Sequence, residues 1–318
     1  MKRWLIVIFL LFTSFSSFAQ VNKPLKFNRK GEFKIVQFTD VHYILDEPKA
    51  EIALERINDV LKHEKPDLVV FTGDIIFGRP AEESMKKVLE QVSKREIPFV
   101  VTFGNHDREF GKTNTELYDL IRTIPYNLHP ERQDSCLDFE LEIFKHNGGV
   151  STILYFLDSH TYNRAKKQYD WILPEQIERY KKISASYTEK NGGVPYPSVA
   201  FFHIPLPEVG KAAENQWAEL YGTRMEKCSS PVYNSGMYKA MVGSGDVMGV
   251  FFGHDHNNDY LVRLDNIIFG YGRYTGGNTV YNSLSNGGRV IVLKEGKREF
   301  ETWLTLKNGE RINFYYYK

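Results

Sequence analysis

The amino-acid sequence predicts an α/β fold, and two observations carry this expectation. Up to about residue 210, apolar runs rich in Val, Ile and Phe alternate with segments whose apolar residues recur at helical spacing. After Gly243 the pattern changes to short β runs separated by turn residues. Strands alternating with helices are typical of a sheet covered by crossover helices. The later run of strands predicts a second, more antiparallel sheet.

The individual elements follow from these patterns. In the first part of the chain we expect strands at 33–39, 68–72, 99–103, 152–157 and 198–202. Helical periodicity places crossover helices at 51–63, 82–94, 115–122 and 174–187. Later strands are expected at 247–252, 260–264, 267–269, 290–294 and 300–306. No linker-like or repeated stretch divides this pattern, so we expect a single domain over residues 20–318.

The first nineteen residues have the pattern of a secretory signal peptide. Lys2 and Arg3 precede the apolar run 4–12, and small residues end the segment at Ala19. We expect cleavage after Ala19 and export to the periplasm or the extracellular space. An uncleaved anchor is the alternative, but 4–12 is shorter than the roughly 20 residues that span a bilayer. No later stretch is long and apolar enough for a membrane span.

Composition and charge exclude several classes of protein. The 318 residues include 41 Lys and Arg against 40 Asp and Glu, a balance that argues against a nucleic-acid-binding platform. An anionic substrate must therefore be held by local groups. Two cysteines are too few for a disulfide framework or a zinc site built from several thiolates. The sequence leaves undecided whether Cys136 and Cys228 form one disulfide.

Polar clusters follow five of the predicted strands. They are Asp40-Val41-His42, Gly73-Asp74, Gly104-Asn105-His106-Asp107, His203 and Gly253-His254-Asp255-His256. Ligands of α/β sheets gather outside the carboxyl ends of the strands, so these side chains should meet in one crevice. Imidazoles, carboxylates and an amide without thiolates suit two zinc, iron or manganese ions.

Each cluster also has an ordinary structural interpretation. Asp40 could cap the following helix, Gly-Asn-His-Asp could be only a turn, and His203 before two prolines could be structural. The combination argues against this interpretation, because five of the nine histidines fall within a few residues of predicted strand ends. We therefore expect a metal site.

The ordered set Asp-x-His, Gly-Asp, Gly-Asn-His-Asp, His and Gly-His-x-His resembles the calcineurin-like metallophosphoesterase superfamily over most of the chain. The stretches 202–208, 228–231, 234–236, 253–260 and 271–273 resemble its purple-acid-phosphatase-related subgroup. The resemblance implies a four-layer α/β/β/α sandwich. It also implies a dinuclear metal centre and the hydrolysis of phosphate esters.

Carried over position by position, the resemblance assigns the metal ligands. Asp40, His42 and His256 would hold the first ion, Asn105, His203 and His254 the second, and Asp74 would bridge them. Two divalent ions outweigh two carboxylates and a bridging hydroxide, so the centre would attract a phosphate and supply the attacking hydroxide. His106 would stabilise the developing charge or protonate the leaving oxygen. Asp107 would either orient His106 or only brace the loop.

Three further features are open to two interpretations. Arg108 and Arg273 are candidates for phosphate contact, although an arginine near a strand end is commonly just solvated. The segment 208–241 either forms a wall over the site or only packs as helices. The aromatic tail 314–317 is expected to pack at the edge of the second sheet.

The expected function is that of an exported phosphomonoesterase with a small phosphorylated substrate. The alternatives are a phosphodiesterase acting on nucleotides or lipid head groups, and a catalytically silent protein that binds metal or phosphate. Purple acid phosphatases carry a tyrosine ligand three residues after the bridging aspartate, where this chain has Phe77. We therefore expect a colourless protein. Zinc, manganese and ferrous iron are candidates for the bound metals on the same footing as a mixed iron site.

Overall fold

The computed structural model describes residues 24–132 and 135–318, so the signal segment predicted at 1–19 lies outside the described residues. The strands are β1 (Glu32–Phe38), β2 (Leu68–Thr72), β3 (Phe99–Thr102), β4 (Phe139–Phe144), β5 (Val150–Phe156), β6 (Tyr162–Asn163), β7 (Gln168–Tyr169), β8 (Ser198–Phe201), β9 (Leu220–Tyr221), β10 (Val247–Phe252), β11 (Leu261–Leu264), β12 (Ile267–Tyr271), β13 (Gly288–Lys294), β14 (Phe300–Thr305) and β15 (Arg311–Tyr317). The helices are α1 (Pro48–Glu64), α2 (Ala81–Ser93), α3 (Asn114–Arg122), α4 (Pro174–Lys190), α5 (Pro207–Glu214) and α6 (Met237–Ser244).

Two large sheets form the centre of the molecule. In the described residues, a six-stranded sheet has the order β15-β14-β13-β1-β2-β3 and a seven-stranded sheet has the order β4-β5-β8-β10-β12-β11-β9. Strands β1 to β3 run parallel, and so do β5, β8, β10 and β12. Helix α1 packs against the first sheet and next to α2, while α5 and α6 pack against the second. The predicted four-layer α/β/β/α architecture is confirmed.

Alternating side chains on the strands separate two hydrophobic cores. On β8, Val199 and Phe201 point into the core that lies between the sheets and extends to α1, α2 and α3. Ala200, and Phe202 just beyond β8, belong instead to the core under α4, α5 and α6. A sheet buried on both faces needs nearly continuous apolar strands, which explains why these segments show apolar runs and not a strict alternation.

The expectation that the later strands form a sheet of their own was wrong. β10, β11 and β12 join the seven-stranded sheet, whereas β13 pairs antiparallel with β1 and begins the edge of the six-stranded sheet. Strand β10 is buried at all six positions, so it needs neighbours on both sides and finds them in β8 and β12. The aromatic tail forms the edge strand β15 of the first sheet, not of the second.

Six of the described strands and helices were not foreseen from the sequence: α5, α6, β4, β6, β7 and β9. Helices α5 and α6 have eight residues each, too short for a clear periodic pattern. Strand β4 is an edge strand in which polar and apolar residues alternate.

Across residues 24–132 and 135–318, no helix has the length and apolar character required to cross a membrane.

Candidate metal centre

The predicted ligands lie at the carboxyl ends of five strands from both sheets. Those from the six-stranded sheet follow β1, β2 and β3, and those from the seven-stranded sheet follow β8 and β10. The sheets are joined at this edge, because the Gln37 amide donates to Thr72 Oγ1 at 2.8 Å and to the Phe252 carbonyl at 3.1 Å. Strand ends of two sheets thus meet in a single crevice.

The first donor group consists of Asp40, His42 and His256. The Nε2 atoms of the two histidines lie 3.1 Å apart. Asp40 Oδ1 lies 3.5 Å from His256 Nε2 and 3.8 Å from His42 Nε2. All three side chains are buried, and their ligand atoms lie within 4.8 Å of one another.

The second donor group consists of Asp74, His203 and His254, with Asn105 beside it. His203 Nε2 lies 3.2 Å from Asp74 Oδ2, 3.2 Å from Asn105 Oδ1 and 3.3 Å from His254 Nδ1. The same Asp74 Oδ2 also lies 3.8 Å from His42 Nε2 in the first group. Asp74 therefore stands between the two groups, the position that a bridging carboxylate requires.

These spacings fit bound metal ions. With bonds of roughly 2.1 Å and angles between octahedral and tetrahedral values, ligand atoms of one ion lie roughly 3.0 to 3.4 Å apart. Three contacts match this range: His42 to His256 at 3.1 Å, His203 to Asn105 at 3.2 Å and His203 to His254 at 3.3 Å. Imidazole, carboxylate and amide donors suit zinc, iron and manganese.

Backbone carbonyls orient two of the histidines. His203 Nδ1 lies 2.8 Å from the Thr72 carbonyl, and His256 Nδ1 lies 2.9 Å from the Tyr281 carbonyl. A carbonyl can only accept, so each Nδ1 carries the hydrogen. The Nε2 lone pairs are then free for a cation in the neutral ring, as is usual for metal-ligating histidines.

Burial and the neighbouring charges shift the pKa values of His203 and His254 in opposite directions. Burial alone lowers the pKa of His203, but Asp74 and Asp40 outweigh it and raise the pKa to about 10. Burial and the charge of His203 lower the pKa of His254 to about 3. A proton on His203 and a bound cation are thus alternative ways to balance the negative charge of the two carboxylates.

His106 lies next to the donors without belonging to either group. Its backbone N–H donates to Asp74 Oδ1 at 2.8 Å, and its ring centroid lies 5.6 Å from that of His42. Its side chain is one-third exposed, and Nδ1 lies 2.7 Å from Glu109 Oε2. Glu109 was not singled out from the sequence. The available signal was its position three residues after His106, on the turn that follows β3.

Asp107 does not contact the His106 ring but braces the loops of the site. It is fully buried, and Oδ1 accepts hydrogen bonds from the backbone of Ile75 and Ile76. Oδ2 accepts from the backbone of Asp74 and Gly104. Burial and the charge of Asp74 raise the pKa of Asp107 to about 7 against the effect of these hydrogen bonds. Of the two roles predicted for Asp107, these hydrogen bonds favour the brace, and a direct part in the reaction stays a prediction.

The two candidate phosphate-binding arginines differ in their surroundings. Arg108 is exposed on the turn after His106, where contact with a substrate stays a prediction. Arg273 is buried, pairs with Asp259 and donates from Nε to the Ser285 carbonyl at 2.6 Å. Because its guanidinium is engaged within the protein, Arg273 supports the fold and is not free to bind phosphate.

The segment 208–241 packs against the loop that carries His254 and His256. Met225 N–H donates to the Asn257 carbonyl at 3.2 Å, and Ser229 N–H donates to Asp255 Oδ2 at 3.0 Å. The segment therefore forms a wall beside the site and is more than packed helices.

Cys228, within this segment, is not joined to Cys136 in a disulfide. Burial raises the pKa of the Cys228 thiol to about 12.

Phe77 packs edge-on against His42 and His106, with ring centroids 5.1 and 5.0 Å away. It occupies the position beside the donors without offering a donor atom.

Residues 33–258 match the family model described as Calcineurin-like phosphoesterase. The chain is 30% identical over 330 residues to Probable inactive purple acid phosphatase 29 of Arabidopsis thaliana, with 90% of this chain and 83% of that protein covered. It is 32% identical over 334 residues to Phosphatase DCR2 of Saccharomyces cerevisiae, covering 90% of this chain and 55% of that protein. A dimetal phosphatase structure from Danio rerio shares the fold, with a TM-score of 0.63 at 11% identity over 90% of this chain and 99% of that one.

Proposed function

This chain belongs to the calcineurin-like phosphoesterase family, and we propose that it is an exported phosphomonoesterase that uses two metal ions. The observation that carries the proposal is the position of Asp74. Its Oδ2 atom lies 3.2 Å from His203 Nε2 and 3.8 Å from His42 Nε2, so one carboxylate oxygen reaches both donor groups. When bound, two divalent ions supply the charge that holds a phosphate group and lower the pKa of a water molecule toward neutrality.

The residues around the donors account for the remaining steps. His106 is held at Nδ1 by Glu109, which leaves Nε2 to donate a proton to the leaving oxygen of an ester. Its backbone N–H is fixed on Asp74, and its ring lies beside His42 of the first donor group. Exposed Arg108 on the same turn is available to contact a phosphate oxygen as the substrate binds.

The proposal is tested with protein loaded with zinc, manganese or iron. We expect p-nitrophenyl phosphate to be hydrolysed faster than bis(p-nitrophenyl) phosphate. His106→Ala should reduce kcat by roughly 10²-fold or more with unchanged metal content. His146→Ala is the matched control, because His146 also contacts a glutamate, Glu295, at 3.0 Å but lies outside the site. Loss of both ions in His106→Ala would make this residue a structural or ligating group.

A catalytically silent protein is the second candidate function. It is favoured by one observation, the word "inactive" in the name of the Arabidopsis relative. The complete donor set and the presence of His106 support activity instead. Binding of two ions and of phosphate without hydrolysis of either chromogenic ester would support the silent protein, and preference for the diester would support a phosphodiesterase.

Export rests on the sequence of residues 1–19 alone. When the full chain is expressed in a bacterium, the mature protein should begin at Gln20 and should be recovered from the periplasm or the medium. N-terminal sequencing of the protein recovered from the cytoplasmic, periplasmic and medium fractions checks both statements. An intact Met1 in the cytoplasmic fraction would contradict them.

A further inference from the structure

Two tyrosine rings lie directly on histidines of the donor groups. The ring of Tyr281 stacks on His256, with centroids 4.4 Å apart and an interplanar angle of 23°. The ring of Tyr169 meets His254 edge-on at 4.5 Å and 89°. Tyr281 thus lies at the first donor group and Tyr169 lies at the second donor group.

Tyr281 is exposed and nevertheless fixed. Its relative exposure is 56% although one face of the ring is against His256. Its carbonyl holds His256 Nδ1, and its hydroxyl donates to Glu226 Oε2 at 3.1 Å. Glu226 Oε1 in turn accepts the backbone N–H of Asn257 at 2.5 Å. A large aromatic surface is therefore presented to solvent in one orientation, without the entropy cost of ordering a free side chain.

Tyr169 belongs to the β6–β7 hairpin, which is anchored to the same crevice. Thr161, just before the hairpin, donates from its hydroxyl to the carbonyl of the donor residue Asn105 at 3.0 Å. Across the hairpin, Tyr162 packs on Tyr169 with centroids 5.2 Å apart, and it is 41% exposed. Aromatic surface therefore borders the crevice on the side of the second donor group as well.

Rings that only shielded the ligands from water would be covered on their outer face. Tyr281 keeps 56% of its surface exposed although His256 covers one face of its ring, and exposed aromatic surface beside an anion-binding site suits a planar group attached to the anion. We propose that Tyr281 and Tyr169 form an aromatic platform that selects phosphate esters whose leaving group carries an aromatic ring. This inference rests on the proposed phosphomonoesterase function, since it names the substrate class of the same site.

The experiment compares ligands that differ only in aromaticity. Benzylphosphonate and cyclohexylmethylphosphonate cannot be hydrolysed, so calorimetric titration of the metal-loaded protein measures binding without turnover. We expect wild type to bind the benzyl compound about 3- to 10-fold more tightly, the range given by one good ring contact. Benzyl phosphate should exceed cyclohexylmethyl phosphate in kcat/KM by a similar factor, because both leaving groups are primary alcohols.

Three variants assign the preference to the platform. Tyr281→Leu should reduce the preference to less than about 2-fold, whereas Tyr281→Phe, which keeps the ring, should retain it. Tyr316→Leu is the matched control, because Tyr316 is 49% exposed and also donates to a glutamate, Glu299, on the edge strand β15. Metal content is measured in each variant.

The outcomes separate the two proposals. Equal or absent binding of the two phosphonates by metal-loaded wild type would overturn the platform, whatever the variants show. An unchanged preference in Tyr281→Leu with both ions bound would overturn it as well. If wild type prefers benzylphosphonate but hydrolyses neither phosphate, the platform stands and the phosphomonoesterase function fails. If wild type hydrolyses both phosphates at equal rates, the phosphomonoesterase function stands and the platform fails.

Discussion

Replacing Asp107 by asparagine tests whether this residue braces the loops or takes part in the reaction. The carboxylate accepts four backbone hydrogen bonds, from Ile75 and Ile76 at Oδ1 and from Asp74 and Gly104 at Oδ2. In Asp107→Asn, one oxygen becomes an NH₂ group, which faces two N–H donors and cannot accept from either. Each buried donor left without a partner costs about 1 to 3 kcal/mol, so we expect a loss of about 2 to 6 kcal/mol in the free energy of unfolding.

The assay is urea unfolding followed by circular dichroism, with linear extrapolation to water. It is done at pH 8, above the pKa of about 7, so that the wild-type carboxyl is ionised. Because the braced loops carry Asp74 and Asn105, elemental analysis of the folded variant should also find less metal. Glu109→Gln is the control, since an exposed substitution should change the stability by less than about 0.5 kcal/mol.

The two variants should also differ in turnover. In Glu109→Gln the His106 ring loses its carboxylate partner, so kcat should fall more for esters with poor leaving groups than for p-nitrophenyl phosphate. If Asp107→Asn instead keeps wild-type stability and metal content and shows this dependence on the leaving group, Asp107 orients His106 and the brace is refuted.

Three more predictions concern the metals and the effect of pH. Asp74→Asn should lower metal content at both donor groups and Asn105→Ala mainly at the second; elemental analysis finding two ions per chain in Asp74→Asn would contradict the bridging position. Iron-loaded wild type should lack an intense absorption band between roughly 500 and 600 nm, and Phe77→Tyr should create one, since phenylalanine offers no phenolate. Burial lowers the pKa of His129 to about 4 from 6.5, so the unfolded chain binds more protons below pH 6.5 and stability is lost as the pH falls toward 4. Urea unfolding should show a loss of about 2 kcal/mol from this group between pH 7.5 and 5, which His129→Gln should remove; an equal loss in the variant would contradict it.

The site could be anticipated because its donors follow apolar strands in the sequence. Asp40, Asp74 and Asn105 each come within three residues of the end of β1, β2 or β3, and parallel neighbouring strands end at the same edge of a sheet. The architecture was predictable for a related reason, since fully buried strands read as apolar runs. The assignment of each strand to one of two sheets was not, because pairing such as that of β13 with β1 depends on contacts far apart in the chain.

The residues whose roles the sequence left open or did not indicate lie in turns and loops, and their contacts depend on side-chain direction. Asp107 and Arg273 stand next to chemically active positions in the sequence, yet one turns toward backbone N–H groups and the other toward Asp259. Glu109 and Tyr281 were not singled out, although both contact key histidines. Their contacts follow from the path of the turn after β3 and of the loop after β12, which no periodic pattern encodes.

The backbone at the donors explains why the site occupies these irregular ends. Positive φ angles occur at four donor residues, Asp40 (52°), His42 (46°), Asp74 (51°) and His254 (83°). Each such angle at a residue other than glycine costs of order 1 kcal/mol or more. In an extended strand, residues i and i+2 lie roughly 6.6 Å apart along the chain. The left-handed turns instead bring Asp40 Oδ1 within 3.8 Å of His42 Nε2. The two hydrophobic cores must offset this strain, so the donor geometry is imposed by the whole fold and not by the local sequence.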